Sequence, residues 1–215
     1  MIKKLFTGIS ALVLALCCTG ILSCDKADTS SSEKDNSDGE PTENRFEGKT
    51  LVVYYSFTGN SEKIAKEIHS KVESDILEIK PAEEGIDYAA DGYAAGDALI
   101  KKIVDNPNSA SSYPAIKEVK IDASDYGCVV VVEPLWWSHM AAPMQSFLFK
   151  YGKDFKGKKI ALACSSHSSG ISGVSSDLKR LVPAGDHMGE DLWVNNSSRS
   201  KMKDLVEEWV KKKFK

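Results

Sequence analysis

The chain has 215 residues, 42% hydrophobic and 27% charged, with a formal net charge of −3. A chain of this length and composition suits one globular domain plus an appendage. It carries no basic excess and no stretch in which Lys or Arg alternates with aromatics, which argues against nucleic acid as a partner.

The first 24 residues differ from the rest. Lys3 and Lys4 precede an apolar run over residues 5–22, and small Ser23 precedes Cys24. This is the layout of a signal peptide, with an uncleaved membrane anchor as the alternative. Ile21-Leu22-Ser23-Cys24 resembles the bacterial lipobox, which favours cleavage and makes Cys24 the lipidated first residue of the mature protein. Acyl chains there, each contributing about 0.8 kcal/mol per buried methylene, would hold the protein on a membrane. The expected location is therefore beyond the inner membrane, lipid-anchored on the periplasmic or cell-surface side. Residues 25–46 are rich in Ser, Asp, Glu and Asn; they read as a disordered tether, leaving residues 47–215 as the folded domain. Three of the five cysteines fall in the leader, and Cys128 and Cys164 lie in apolar runs where a free thiol acts as a small buried hydrophobe.

Residues 50–55 (TLVVYY) read as a strand, and residues 61–72 as a helix with Ile64, Ala65, Ile68 and Val72 on one side. A second strand follows at 75–79, then a helix over 88–104. Residues 127–133 (GCVVVVE) are apolar almost throughout, as expected of a central strand covered on both faces. Pro143 suits the first turn of the next helix, residues 158–164 (KKIALAC) form the fourth strand, and residues 172–181 a further helix. Residues 190–194 read as the fifth strand and residues 198–214 as the closing helix. Strands and helices alternating in this way specify an α/β fold, with a parallel sheet covered by helices on both faces.

In such sheets, ligands bind beyond the carboxyl ends of the strands, where strand order reverses. Three loops qualify. The first, Ser56-Phe57-Thr58-Gly59-Asn60-Ser61, offers hydroxyls, an amide and a glycine ahead of a helix start, the requirements of a phosphate site. A plain capped turn would use the same residues. The second, Pro134-Leu135-Trp136-Trp137-Ser138-His139, puts two indoles at the mouth of the central strand. Trp136 is expected to stack on a flat ligand and Trp137 to be the buried, structural one, with His139 near the ligand. The third, Ser165-Ser166-His167-Ser168-Ser169-Gly170, could hold the polar edge of a heterocycle. His167 among serines also suggests nucleophilic hydrolysis, but no G-x-S-x-G elbow is present. Gly48-Lys49-Thr50 precedes its strand and lacks the first P-loop glycine, and no G-x-G-x-x-G follows a strand. No metal site is assigned.

Together these loops resemble the flavodoxin-like family, in the subgroup with a Tyr-Tyr-Ser-x-Thr-Gly-Asn-Thr-type start and a Pro-x-Trp-Trp loop. The matching segments are Tyr54 through Ser61, Pro134 through Trp137, and Ser165 through Gly170. The resemblance implies a three-layer fold whose five-stranded parallel sheet has the order 2-1-3-4-5, and it implies flavin mononucleotide (FMN) as cofactor. It assigns Ser56, Thr58, Gly59, Asn60 and Ser61 to the phosphate. Pro134, Leu135, Trp136 and Trp137, with Ser165, Ser166, His167, Ser168, Ser169 and Gly170, would frame the ring. Val132 and Glu133 depart from the glycine and aromatic usual before the proline, and a Glu133 facing the flavin would lower its potential. The implied function is electron transfer outside the cytoplasm, with a redox protein or a quinone as partner. The alternatives are a nicotinamide-dependent quinone or flavin reductase and a binding module that has lost its flavin.

Overall fold

The computed structural model describes Phe46 and residues 48–215. The expected leader, the lipidation site Cys24 and all of the tether except Phe46 lie outside these residues. In chain order the elements are β1 (Lys49–Tyr54), α1 (Asn60–Lys71), β2 (Ser74–Glu78), α2 (Ala90–Asp105), β3 (Tyr126–Trp136), β4 (His139–Met140), α3 (Ala142–Tyr151), β5 (Lys159–Ser165), α4 (Ser172–Leu181), β6 (Asp186–His187), β7 (Leu192–Val194) and α5 (Met202–Phe214).

The sheet runs β2-β1-β3-β5-β6, with β7 also pairing β5 and β4 pairing β3. All pairings are parallel except the β3–β4 hairpin. The expected fifth strand at 190–194 is β7, and a further short strand outside that range, β6, lies along the same edge. β6 pairs with Lys159 and Ile160, and β7 pairs further along, with Ala163 to Ser165. Read with β7 as the fifth strand, the order is 2-1-3-4-5.

Side-chain alternation builds two cores, one on each face of the sheet. Leu51, Val53, Val129, Val131, Ile160 and Leu162 point to the side covered by α2, α3 and α4. Val52, Val130, Val132, Ala161 and Ala163 point to the side where Ile64 and Ile68 of α1 meet Val206, Trp209 and Val210 of α5. Burial on both faces explains why the central strands are apolar without polar alternation. Cys128 and Cys164 are free and buried within these layers. Burial pushes the Cys128 thiol up to about 12. Among the described residues no helix is long and apolar enough to cross a membrane.

Three segments differ from the expectation. The helix expected over 88–104 starts irregularly, because Asp91, Gly92 and Tyr93 all have positive φ (52°, 65° and 70°). Regular helix begins only after them. The closing helix is preceded by a single 3-10 turn over Arg199–Lys201. β3 does not stop at Glu133 but continues through Pro134 to Trp136 and turns back as a hairpin.

Candidate functional site

Parallel strands all point their carboxyl ends the same way, so the loops after β1, β3 and β5 converge on one edge. They enclose a cleft of about 450 Å³, a volume in the range of small-molecule sites. Of the residues expected there, Thr58, Asn60, Pro134, Leu135, Trp136, Trp137, Ser165, Ser166 and His167 line it. Gly59, Ser61, Ser168, Ser169 and Gly170 belong to the same loops but not to the cleft wall, and Ser56 lines a neighbouring hollow. Phe57, Gly92, Tyr93 and Arg199 complete the wall and were not among the expected site residues.

The first loop presents an open helix start. Gly59 precedes α1 at φ 79°, a left-handed conformation that glycine adopts without strain, and no side chain caps the helix. The first-turn N–H groups are thus available to an anion, with the helix dipole behind them. Thr58 Oγ1 accepts from Asn60 Nδ2 at 2.8 Å, which leaves the threonine proton free to donate outward. Ser56 Oγ is buried and has no hydrogen-bond partner. Leaving such a group unpaired costs about 1–3 kcal/mol, so this hydroxyl is poised for a ligand atom. Ser61, by contrast, is buried, and its hydroxyl meets that of Ser165 at 2.8 Å, tying α1 to the end of β5.

The second loop is a hairpin, and it reverses the expected burial of the two indoles, although both line the cleft. Trp136 is only 9% exposed and packs edge-on to Tyr55 (5.7 Å between ring centroids) and tilted against Tyr88 (4.9 Å). Trp137 is 40% exposed at the turn. The cause is the two-residue turn itself: Trp137 and Ser138 both take positive φ (45° and 64°), as a type I′ hairpin requires. Trp136 is therefore the last paired strand residue and Trp137 the tip. Two glycines make room for this tip. A Cβ on Gly96 of α2 would lie 2.8 Å from the Trp137 ring, and one on Gly173 of α4 would lie 1.9 Å from the Ser138 carbonyl oxygen.

Buried polar side chains hold the returning strand. Glu133 points neither at the cleft nor at solvent. It is fully buried, and its carboxyl accepts the Ala141 N–H at 2.7 Å. Burial pushes this carboxyl well above the usual carboxylate range. Met140 donates its N–H to Asp177 (3.1 Å), and its carbonyl accepts from Gln145 Nε2 (2.7 Å). His139 Nδ1 lies 2.9 Å from the same Asp177 carboxylate, so His139 serves the hairpin and does not line the cleft. Arg180 joins Asp177 (3.2 Å) to Gln145 (2.7 Å) and completes the network.

The third loop is anchored on its outer side. Ser166 Oγ accepts from Trp193 Nε1 and donates to the Ser169 carbonyl, both at 2.8 Å, while Asn196 donates its N–H to the His167 carbonyl at 3.0 Å. His167 itself is exposed at the cleft. No acid orients it through a hydrogen bond among the described residues, so the hydrolytic arrangement is not assembled.

A parallel sheet of order 2-1-3-4-5 with helices on both faces defines the class of flavodoxin-like folds. The chain belongs to the flavodoxin family, whose sequence profile matches residues 49–213. A flavoprotein from Lactobacillus acidophilus, solved in complex with FMN, is 24% identical, with 72% of this chain and 98% of that chain covered at a TM-score of 0.57. A candidate flavoprotein from Bacteroides uniformis is 26% identical over 74% of this chain and 98% of its own, at 0.57. Another from Bacteroides eggerthii is 24% identical over 76% and 96%, at 0.58. No curated protein matches the chain.

Proposed function

We propose that this flavodoxin-family protein binds FMN and passes electrons outside the cytoplasm, held to a bacterial membrane by lipid at Cys24. The observation that carries FMN binding is the uncapped start of α1, with the unpartnered Ser56 hydroxyl beside it and the aromatic cleft adjoining. Ser56, Thr58, Asn60 and the N–H groups after Gly59 would hold the phosphate. Trp137, Leu135 and Pro134 would contact the ring, with Ser165, Ser166 and His167 at its polar edge. Bound there, FMN supplies one- and two-electron chemistry, and the protein supplies orientation and electrostatics.

Two considerations support electron transfer over nicotinamide chemistry. The lipobox-like Ile21-Leu22-Ser23-Cys24 directs the protein away from the cytoplasm, where nicotinamide cofactors are concentrated. Tyr93 and Trp137 also stand at the rim of the cleft, 52% and 40% exposed, and restrict stacking over the ring. Hydride transfer needs reacting atoms about 3–3.5 Å apart, whereas electrons need only proximity. The partner is then a redox protein or a membrane quinone. Anaerobic mixing of the FMN-loaded protein with NADH or NADPH tests this reading. Slow reduction by both, with fast reduction by a one-electron donor such as a reduced viologen, is expected; rapid bleaching by either nicotinamide would assign the protein to the reductases.

A further inference from the structure

The cleft wall is neutral or aromatic except at one place. Among its lining residues Arg199 alone carries a permanent charge, and no acidic residue lines the cleft to balance it. Among the described residues no hydrogen bond or ion pair engages its guanidinium. Its backbone, however, is fixed. Ser198 donates its N–H to Asn195 Oδ1 and Asn195 donates its N–H to Ser198 Oγ, both at 3.0 Å. Lys201 N–H reaches the Ser198 carbonyl at 2.9 Å. Further back, Ser166 N–H to the Val194 carbonyl (3.1 Å) and Asn196 N–H to the His167 carbonyl (3.0 Å) hold this segment against the third loop.

The fold puts that cation in the same cleft as the first loop. Arg199 immediately precedes α5, which shares one core layer with α1. The Ser61–Ser165 hydroxyl contact ties the first turn of α1 to the end of β5. Thr58, Asn60, Ser165, Ser166 and Arg199 line one and the same cleft. An unpaired guanidinium that shares a cleft with neutral donors is suited to an anion that those donors bind but do not neutralise.

We infer that the Arg199 guanidinium binds the FMN phosphate held at the start of α1, and so selects FMN over flavins that lack the phosphate. The inference rests on the FMN reading above. A phosphate monoester carries about −1.5 to −2 charges near neutral pH. The hydroxyls and N–H groups of the first loop donate to it without cancelling that charge. A guanidinium adds the missing counter-charge, and its planar fork matches two phosphate oxygens, which an ammonium cannot do.

The test is a flavin fluorescence titration of the detergent-purified full-length protein with FMN and with riboflavin, for wild type, Arg199→Gln and Arg199→Lys. Arg199→Gln is expected to weaken FMN about tenfold, the size of a charge-assisted bond at a solvent-accessible position, and riboflavin by about twofold or less. Arg199→Lys should recover part of the FMN loss. The FMN difference should shrink toward ~1 M salt, where the screening length falls to about 3 Å. Arg199→Gln binding FMN as tightly as wild type would overturn the inference. So would equal losses for FMN and riboflavin, which would place the guanidinium at the ring. Wild type failing to bind FMN would bring down the FMN reading and this inference together, whereas a failure confined to the variant comparison brings down this one alone.

Discussion

Glu133 is the carboxyl on which the aromatic hairpin closes, and it should make the stability of the protein fall as pH rises. It is fully buried, accepts the Ala141 N–H at 2.7 Å and has the Cys164 thiol 3.8 Å away as its other polar neighbour. Burial is the largest cause of its raised pKa, and Asp177 adds to it. The folded protein thus keeps a proton that the unfolded chain releases near a pKa of about 4.3. Above that value the native state binds more protons than the unfolded state. The contribution is fully present below the unfolded pKa and is lost as pH rises through the folded one. One proton gives a slope of about 1.4 kcal/mol per pH unit, or about 2.7 kcal/mol between pH 5 and 7 if Glu133 stays protonated across that interval. Glu133→Gln keeps an acceptor for Ala141 and cannot ionise, so its stability should lack this slope. Urea denaturation of both proteins at pH 5 and pH 7 isolates the effect, because other titrating groups cancel in the comparison. Wild type should lose stability relative to Glu133→Gln as pH rises over that range, by at most about 2.7 kcal/mol. Agreement of the two pH dependences within about 0.5 kcal/mol would show that Glu133 titrates alike in both states.

Five further outcomes follow from the structure and the sequence. Thr58→Val should weaken FMN by about 1–2 kcal/mol and riboflavin much less, measured by titration of both ligands, since it removes a donor aimed at the phosphate. Trp136→Ala should lower stability by about 3–5 kcal/mol in chemical denaturation, because Trp136 belongs to the core. Trp137→Ala should cost no more than about 1 kcal/mol of stability while reducing flavin affinity; the opposite pattern would restore Trp136 as the ligand-facing indole. Gly173→Ala, whose new methyl carbon would meet the Ser138 carbonyl oxygen at 1.9 Å, should displace the hairpin and destabilise the fold by about 1–3 kcal/mol. Cys24→Ala should abolish incorporation of labelled fatty acid, and persistent labelling would move the anchor elsewhere.

The regular parts of this fold can be read from the sequence because their burial is periodic. Ile64, Ala65 and Ile68 mark α1 by helical spacing, and Cys128 through Val132 mark the central strand by having no polar alternation, since both faces are covered. α4 occupies Ser172–Leu181, the span its pattern predicts. The hairpin was not legible for local reasons. β4 is two residues long, too short for any period, and its Trp137-Ser138 turn lacks the Asn-Gly or Asp-Gly signal that usually marks positive φ. A strand that ends at Glu133 makes the following segment an open loop, hides the burial of Glu133 and reverses the burial of the two indoles. Asp91-Gly92 inside a helical pattern was the available signal for the break that brings Tyr93 to the cleft. Arg199 had only its position, between the last strand and the last helix at the ligand-binding edge, and tertiary packing supplied the rest.

FMN binding itself is tested most directly by titrating the purified protein, stripped of endogenous flavin, with FMN while following flavin fluorescence and absorbance. Saturable binding at one site per chain is predicted, with the fluorescence quenched by the neighbouring indole and the visible bands shifted. A protein that purifies colourless, leaves FMN fluorescence unchanged and gains no thermal stability from added FMN would contradict the account.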